Sequence, residues 1–476
     1  MPSSRPDSSV AVAPKTSIIT SIIPTIGGPY FALAVLFGMN LLNYIDRYSF
    51  FAVGTQIKRD LTIDDKWYGV LGGSFMIVYT IVSPLMGWLG DRYNRRMLLA
   101  GGVGLWSLAT VGTAYSHNFY EMFFWRALLG VGEASYGVIA PALLADLFAV
   151  EKRGRAMGIY YLALPIGTAL GFIIAGRVCS HWGWHPVFLV VGIPGLLAAL
   201  AGLLILDPGR GASEGRKYTG KADRPRFRDY AELFKTRTFV FNTAGMAAAT
   251  FATGAYAAWG STFYQRVRGM SLKEANDSIG ILLAIAGLVG IALSTFVADF
   301  VRKYTRRAYL LLASVVVLAS VPLGIAGILD PARTSSLGLL FTASVLMAMV
   351  LGPSNTVTAN VVPANRRAAG YALFIFLIHL FGDISSPILL GWISGFFGST
   401  AVMSSALGQL LLSIGAGPTA DESGQMTNLT VAMLTVGPVL LLGGILFLIG
   451  SKHLPADMDR IASNKDKEAD GPEFLH

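Results

Sequence analysis

One cysteine, Cys179, stands in a chain of 476 residues, which excludes an internal disulfide and any metal site assembled from several thiolates. Charge is equally scarce. Only 14% of residues are Asp, Glu, Lys or Arg, where a soluble chain carries about 25%, and 53% are hydrophobic. That deficit is too large for a soluble enzyme with a large core, and the mean hydropathy of +0.57 agrees. The one Gly-x-Ser-x-Gly string, Gly211 to Gly215, lies in a basic Gly/Ser-rich stretch rather than at a strand-to-helix elbow, and no His-Glu-x-x-His pattern or P-loop occurs, which argues against a membrane-embedded hydrolase and against direct ATP coupling. Neither enzymatic activity nor a cofactor or metal is expected. The stretch 1–24 is polar, with Arg5 and Lys15 its only basic residues. It lacks the charged start and short apolar core of a cleavable signal peptide and reads as a cytoplasmic tail.

What the chain does have is apolar runs of bilayer length. A membrane core needs about 20 apolar residues of helix, and twelve segments qualify: 29–55, 67–89, 97–116, 119–150, 155–178, 184–206, 238–265, 275–301, 307–329, 336–362, 367–397 and 427–451. Residues 401–414 form either an external amphipathic helix or an extension of the eleventh span. An even number of spans puts both termini on one side. Of the 37 Lys and Arg residues, 27 fall on that side and 8 on the other, with Arg47 and Arg126 inside spans. The positive-inside rule makes the richer side cytoplasmic. The basic, Gly/Ser/Pro-containing segment 207–237 reads as a cytoplasmic linker rather than a nucleic-acid-binding run, and its end, 227–239, suits a short surface helix. It divides the chain into bundles at 25–206 and 238–451, with a tail at 452–476 expected to be disordered beyond Asp457. The fold class is all-α: twelve transmembrane helices in two six-helix bundles, with the substrate site between them.

The loop after the second span reads Gly87-Trp-Leu-Gly90-Asp91-Arg92-Tyr-Asn94-Arg95-Arg96. It resembles the G-x-x-x-D-R/K-x-G-R-R/K signature of the major facilitator superfamily. Asn94 departs from the glycine of that pattern, and asparagine tolerates the left-handed backbone that a tight turn needs. A degraded copy, Asp299 to Arg307, follows the eighth span and suggests duplication. Asp91, Arg92, Arg95 and Arg96 are the expected gating residues.

Charges at membrane depth cost at least about 2.5–3.5 kcal/mol each on insertion scales, so those present call for a function. Asp46 lies about 12 Å from the outer end of the first span, and Arg126 about 10 Å deep in the fourth, so an Asp46–Arg126 pair is expected. Glu133, seven residues on, returns to the face of Arg126 and Gly130. Asp46, Glu133, Arg126 and Arg47 form the candidate proton-coupling set, in which protonation of Asp46 would free Arg126. Arg47 either binds an anionic substrate group or neutralises the cluster. The second half offers Tyr256, Trp259 and Asn355 among apolar residues. The eleventh span adds His379 and Asp383 four apart on one face. With Arg47, Arg126 and Tyr136, these are the candidate substrate-binding residues.

Asn43-Tyr-Ile-Asp46-Arg47, Arg126 with Gly130-Val-Gly132-Glu133-Ala-Ser, and Ile378-His-Leu-Phe-Gly-Asp383-Ile-Ser-Ser-Pro387 resemble the spinster branch of the superfamily. That resemblance implies proton-linked transport of lysolipids, lysophospholipid or sphingosine-phosphate in type, by rocker-switch alternating access. The first two strings also resemble the anion:cation symporters, which move sugar acids with protons, and an amphiphilic drug antiporter would fit the same polar and apolar halves. The expected partners are an amphiphilic lipid or organic anion, protons and membrane lipids, with the chain a monomer. The single cysteine and short loops point to a bacterial inner membrane.

Overall fold

A computed structural model describes residues 28–90, 92–209, 232–362 and 367–469. The expected tail 1–24, Asp91 and most of the expected linker lie outside the described residues. The first half contains α1 (Pro29–Ala52), α2 (Gly54–Leu61), α3 (Asp65–Gly90), α4 (Arg95–Thr113), α5 (Phe119–Leu147), α6 (Val150–Tyr161), α7 (Ala163–Trp182) and α8 (His185–Gly202). The second contains α9 (Arg237–Arg266), α10 (Leu272–Arg302), α11 (Ala308–Leu329), α12 (Arg333–Ala348), α13 (Leu351–Val361), α14 (Arg367–Phe381), α15 (Ser385–Gly398), α16 (Thr400–Met403), α17 (Ala406–Ser413), α18 (Leu429–Leu434) and α19 (Val436–Ala469). Before α18, Thr419–Ala420 (β1) and Met426–Thr427 (β2) pair as an antiparallel hairpin.

The helix starts follow local chemistry. Pro29 opens α1, where its missing N–H costs nothing. Asn118 accepts from the Glu121 N–H at 3.0 Å to cap α5, and Ser271 with Glu274 closes a capping box on α10. Nine segments of the described residues are long and apolar enough to cross a membrane by length and composition. The remaining three expected segments coincide with α1, α4 and α9, helices of 24, 19 and 30 residues that fall outside those nine.

Three expectations change. The expected span 367–397 is two helices, α14 and α15, interrupted at 382–384, so Asp383 sits in a break. Residues 401–414 belong to two short helices, α16 and α17, split at Ser404 and Ser405. The segment beyond Asp457 continues as helix to Ala469. It is tied down where Asp457 accepts from the Thr238 N–H and Arg460 donates to Thr236 Oγ1.

Within the first half α4 packs on α5 and α8, α3 on α5, and α1 on α7; within the second, α9 and α11 pack on α19. The halves meet through α3–α15, α7–α10 and α1–α9. The α3–α15 crossing is close because both helices present glycine: a Cβ on Gly69 would lie 2.4 Å from the Pro387 carbonyl oxygen, and one on Gly391 2.3 Å from that of Asp65. Among the described residues, the hydrogen bonds joining the halves gather at this end of the molecule. Asn276 Nδ2 donates to the Ala52 carbonyl at 2.9 Å, and Thr55 Oγ1 to Gln265 Oε1 at 2.9 Å.

Candidate functional site

α1 and α5 cross with their charges facing inward, but the pairing differs from the expected one. Arg47 Nη2 donates to Glu133 Oε2 at 2.7 Å, while Asp46 and Arg126 form no ion pair. Asp46, 2% exposed, accepts at Oδ2 from the Thr110 hydroxyl of α4, and its Oδ1 has no partner. Arg126, 1% exposed, donates from Nε to the Leu71 carbonyl at 3.3 Å and lies 3.9 Å from the centre of the Phe50 ring. Its Nη2 is buried without a partner. The reason is rotational. Adjacent residues of a helix differ by about 100° around its axis, and Arg47, not Asp46, carries the direction toward Glu133. Gly130 permits the α3–α5 approach that frames the cluster, since a Cβ there would meet the Phe75 carbonyl at 2.4 Å.

A cavity of about 230 Å³ adjoins this pair, with Asn43, Arg47, Glu133, Tyr136 and His379 in its wall. Tyr136 is held by donating its hydroxyl to the Leu36 carbonyl at 2.8 Å. Three buried polar atoms here have no partner: Asn43 Nδ2, Arg47 Nε and Glu133 Oε1. A second, smaller cavity of about 90 Å³ also reaches Arg47. Phe51, Phe75, Met76, Ala257 and Pro387 give it an apolar wall, and Asp383 lies at its edge. His379 Nδ1 and Asp383 Oδ2 are 2.8 Å apart, each about a quarter exposed. The two residues expected to share a helical face therefore meet across the helix break, one at each cavity.

The other expected substrate residues lie elsewhere. Trp259 is fully buried, donates from Nε1 to the Pro387 carbonyl at 3.2 Å and meets the Tyr68 ring edge to face at 5.3 Å. It packs the contact between halves and is not in the wall of either cavity. Tyr256 faces a separate apolar crevice with Phe263 and Ile279. Asn355 contributes its carbonyl to the Tyr371 hydroxyl at 2.7 Å, and Arg126 lines neither cavity at Arg47.

Of the expected gating residues, Arg95 is buried and clamps two carboxylates: Nη1 to Asp146 Oδ2 at 2.6 Å and Nη2 to Asp207 Oδ1 at 2.5 Å. Arg92 lies 3.9 Å from the Trp88 ring centre. Asn94 is not left-handed. It sits at φ −66°, ψ 112° and its side chain accepts from the Arg96 N–H, so it caps α4 rather than replacing glycine in a turn. Arg96 follows as the second residue of that helix.

A network that sequence reasoning did not single out closes the end where the halves meet. Lys58 Nζ contacts Asp65 Oδ1 at 2.9 Å and Glu422 Oε2 at 2.8 Å, and Arg266 contacts Asp65 Oδ2 at 2.7 Å and Glu422 Oε2 at 2.6 Å. Ser394 also donates to Asp65, at 2.8 Å. Lys58 and Asp65 come from the first half, Arg266 from α9 and Glu422 from the hairpin. Burial alone would raise the Glu422 carboxyl, but the Lys58 and Arg266 cations outweigh it and hold the group below its ordinary range. The only sequence signal was that four charged residues flank span ends, which is where solvated loop charges also sit.

Comparison with known proteins adds a family match, two relatives and two solved structures. The family model for the Major Facilitator Superfamily matches residues 36–387. Protein spinster homolog 1 of Xenopus tropicalis is 32% identical over 90% of this chain and 81% of its own length. Protein spinster of Drosophila melanogaster is 32% identical over 80% of this chain, which spans 64% of that protein. Among solved structures, a bacterial homologue of the human lysosomal transporter spinster, inward-facing and unoccupied, is similar with a TM-score of 0.76 and 23% identity, over 90% of this chain and 98% of that one. A D-xylose–proton symporter is similar at a TM-score of 0.67 and 16% identity, over 88% and 97% of the two chains.

Proposed function

The chain belongs to the spinster branch of the major facilitator superfamily and is a multi-pass integral membrane protein, and from that premise we propose that it is a proton-coupled secondary transporter of lysolipid-like amphiphiles. The observation that carries this reading is the position of Arg47, at the junction of a polar cavity and an apolar one. An anionic headgroup is the natural partner of a guanidinium with a free Nε, and the aromatic and aliphatic wall of the smaller cavity suits the start of a chain. A sugar acid would use the first feature and leave the second idle.

Coupling follows from competition. Glu133 and a substrate phosphate seek the same guanidinium, so an arriving headgroup displaces Glu133, which then takes a proton rather than stay charged and unpaired at depth. Asp46, with one hydroxyl donor and no ion-pair partner, is a second proton carrier, and Arg126 is the cation free to move toward it. The Lys/Arg distribution supports an orientation with the Lys58–Glu422 end outside and the termini in the cytoplasm. The halves then rock about the Arg47 site, and the form described here is closed outside. Similarity to a homologue solved inward-facing supports that assignment.

The test is transport in liposomes under an imposed pH gradient, following labelled lysophospholipid and labelled sugar acid in parallel. Gradient-dependent movement of the lipid alone, lost in Glu133→Gln and in Asp46→Asn, is the expected result. Movement of the sugar acid alone would overturn the lipid reading while leaving the charged site in use. Lipid movement indifferent to both substitutions would overturn the coupling.

A further inference from the structure

The closed end also holds a cavity of about 460 Å³, larger than the one beside Arg47. Its wall includes Thr62, Asp64, Trp67, Phe119 and Tyr120 from the first half and Gln425 from the hairpin. Trp67 and Phe119 meet edge to face with ring centres 5.2 Å apart, and Tyr120 meets Phe119 likewise at 5.5 Å. Trp67 and Tyr120 remain 45% and 80% exposed, at span ends where such rings sit at the membrane interface and can still meet a ligand. Thr62, at φ 55°, is the only non-glycine residue with positive φ among the described residues. A β-branched residue there is strained, and such strain concentrates at binding sites. Asp64 Oδ1 accepts from the Trp67 N–H at 2.9 Å, which fixes the carboxylate beside the rings.

Aromatic faces attract cations through their quadrupole without offering a hydrogen bond. The Lys66 ammonium already lies 5.3 Å from the Trp67 ring centre and 3.7 Å from that of Trp392, so this surface realises a cation over indole by itself. Three rings and a carboxylate around an accessible cavity match a cation that has no N–H to donate. We propose that this cavity binds a quaternary ammonium headgroup of the choline type, at a site distinct from Arg47. Gln425 lies three residues from Glu422 on the same hairpin, so an occupant touches both halves and favours the closed form, to which alone it binds fully.

The experiment titrates the purified full-length chain in maltoside detergent with tetramethylammonium chloride and with choline chloride, against sodium chloride at matched ionic strength. Calorimetry and thermal stability are the readouts. A saturable signal and a raised Tm are expected for the unaltered chain. Trp67→Leu should abolish both. Asp64→Asn, whose amide oxygen still caps Trp67, should weaken affinity by roughly fivefold, the scale of one exposed charge pair. Tyr120→Leu, on a largely exposed residue, serves should Trp67→Leu lower the cation-free Tm. No saturable response, or equal responses in the unaltered chain and the Trp67→Leu and Tyr120→Leu variants, overturns the proposal. Repeating the titration in phosphatidylglycerol and phosphatidylcholine nanodiscs identifies the source. Weaker choline binding in the latter assigns the site to the bilayer's own headgroups, and equal binding assigns it to a soluble or transported cation.

Discussion

Removing Arg47 strands a carboxylate that is 1% exposed, and breaking one partner of a buried ion pair costs about 3–5 kcal/mol. Arg47→Ala should therefore lower thermal stability in detergent far more than Asp46→Asn, which disturbs a single hydroxyl donor. Adding Glu133→Gln to Arg47→Ala should restore most of the loss, because a neutral amide no longer needs the guanidinium. Equal stability of the two single variants would contradict the observed pairing. The sequence made Asp46, Arg47, Arg126 and Glu133 conspicuous by their cost at depth. It could not tell which acid meets which base, because rise per residue fixes depth along an axis while side-chain direction depends on how the helix is rotated in its bundle. The same limit explains Trp259. Its chemistry suits a ligand, but its direction on α9 turns it onto Pro387.

At the level of elements, the cap at Asn94 makes the departure from glycine measurable. Asn94→Ala should cost about 1 kcal/mol and Asn94→Gly only a few tenths, read as a difference in thermal midpoints. A loss with glycine as large as with alanine would refute the cap. The hairpin gives a pH signature. Because the Glu422 carboxyl is held below its ordinary 4.5, its contribution to stability is fully present above that pH. It is lost as pH falls through the depressed value in the folded chain. The stability advantage of the unaltered chain over Glu422→Gln should thus be constant from pH 7 to about 5 and shrink below about 4.5. Most helices were legible from apolar length, since nine of the expected segments answer to helices long and apolar enough to cross a membrane among the described residues. The interruption at 382–384 was not, because three residues vanish inside a span-length average.

For the whole molecule, the closed end joins residues as distant in the chain as Lys58 and Glu422, and Asp65 and Ser394, the latter 329 positions apart. Sequence periodicity is local and carries no information on such pairs, which is why the closure was invisible while the spans were not. Thr55 Oγ1 and Gln265 Oε1 lie 2.9 Å apart across it. The glutamine oxygen lies three bonds beyond its Cβ, so in a Cys179→Ala background cysteines at 55 and 265 should be bridged by a short bis-methanethiosulfonate reagent rather than by direct oxidation. Transport should stop, and reductant should restore it. Transport that continues in the fully cross-linked protein would show that this end need not open.

The closure contains two cations, Lys58 and Arg266, and two anions, Asp65 and Glu422. Parting it moves as much positive as negative charge through the membrane field, where each uncompensated elementary charge would add about 2.3 kcal/mol per 100 mV. If this end parts during turnover, that movement should therefore be indifferent to membrane voltage. On the proposed mechanism, a current recorded during turnover would report only the substrate headgroup and the protons carried with it, so charge counted per lipid of known headgroup charge would give the coupling ratio.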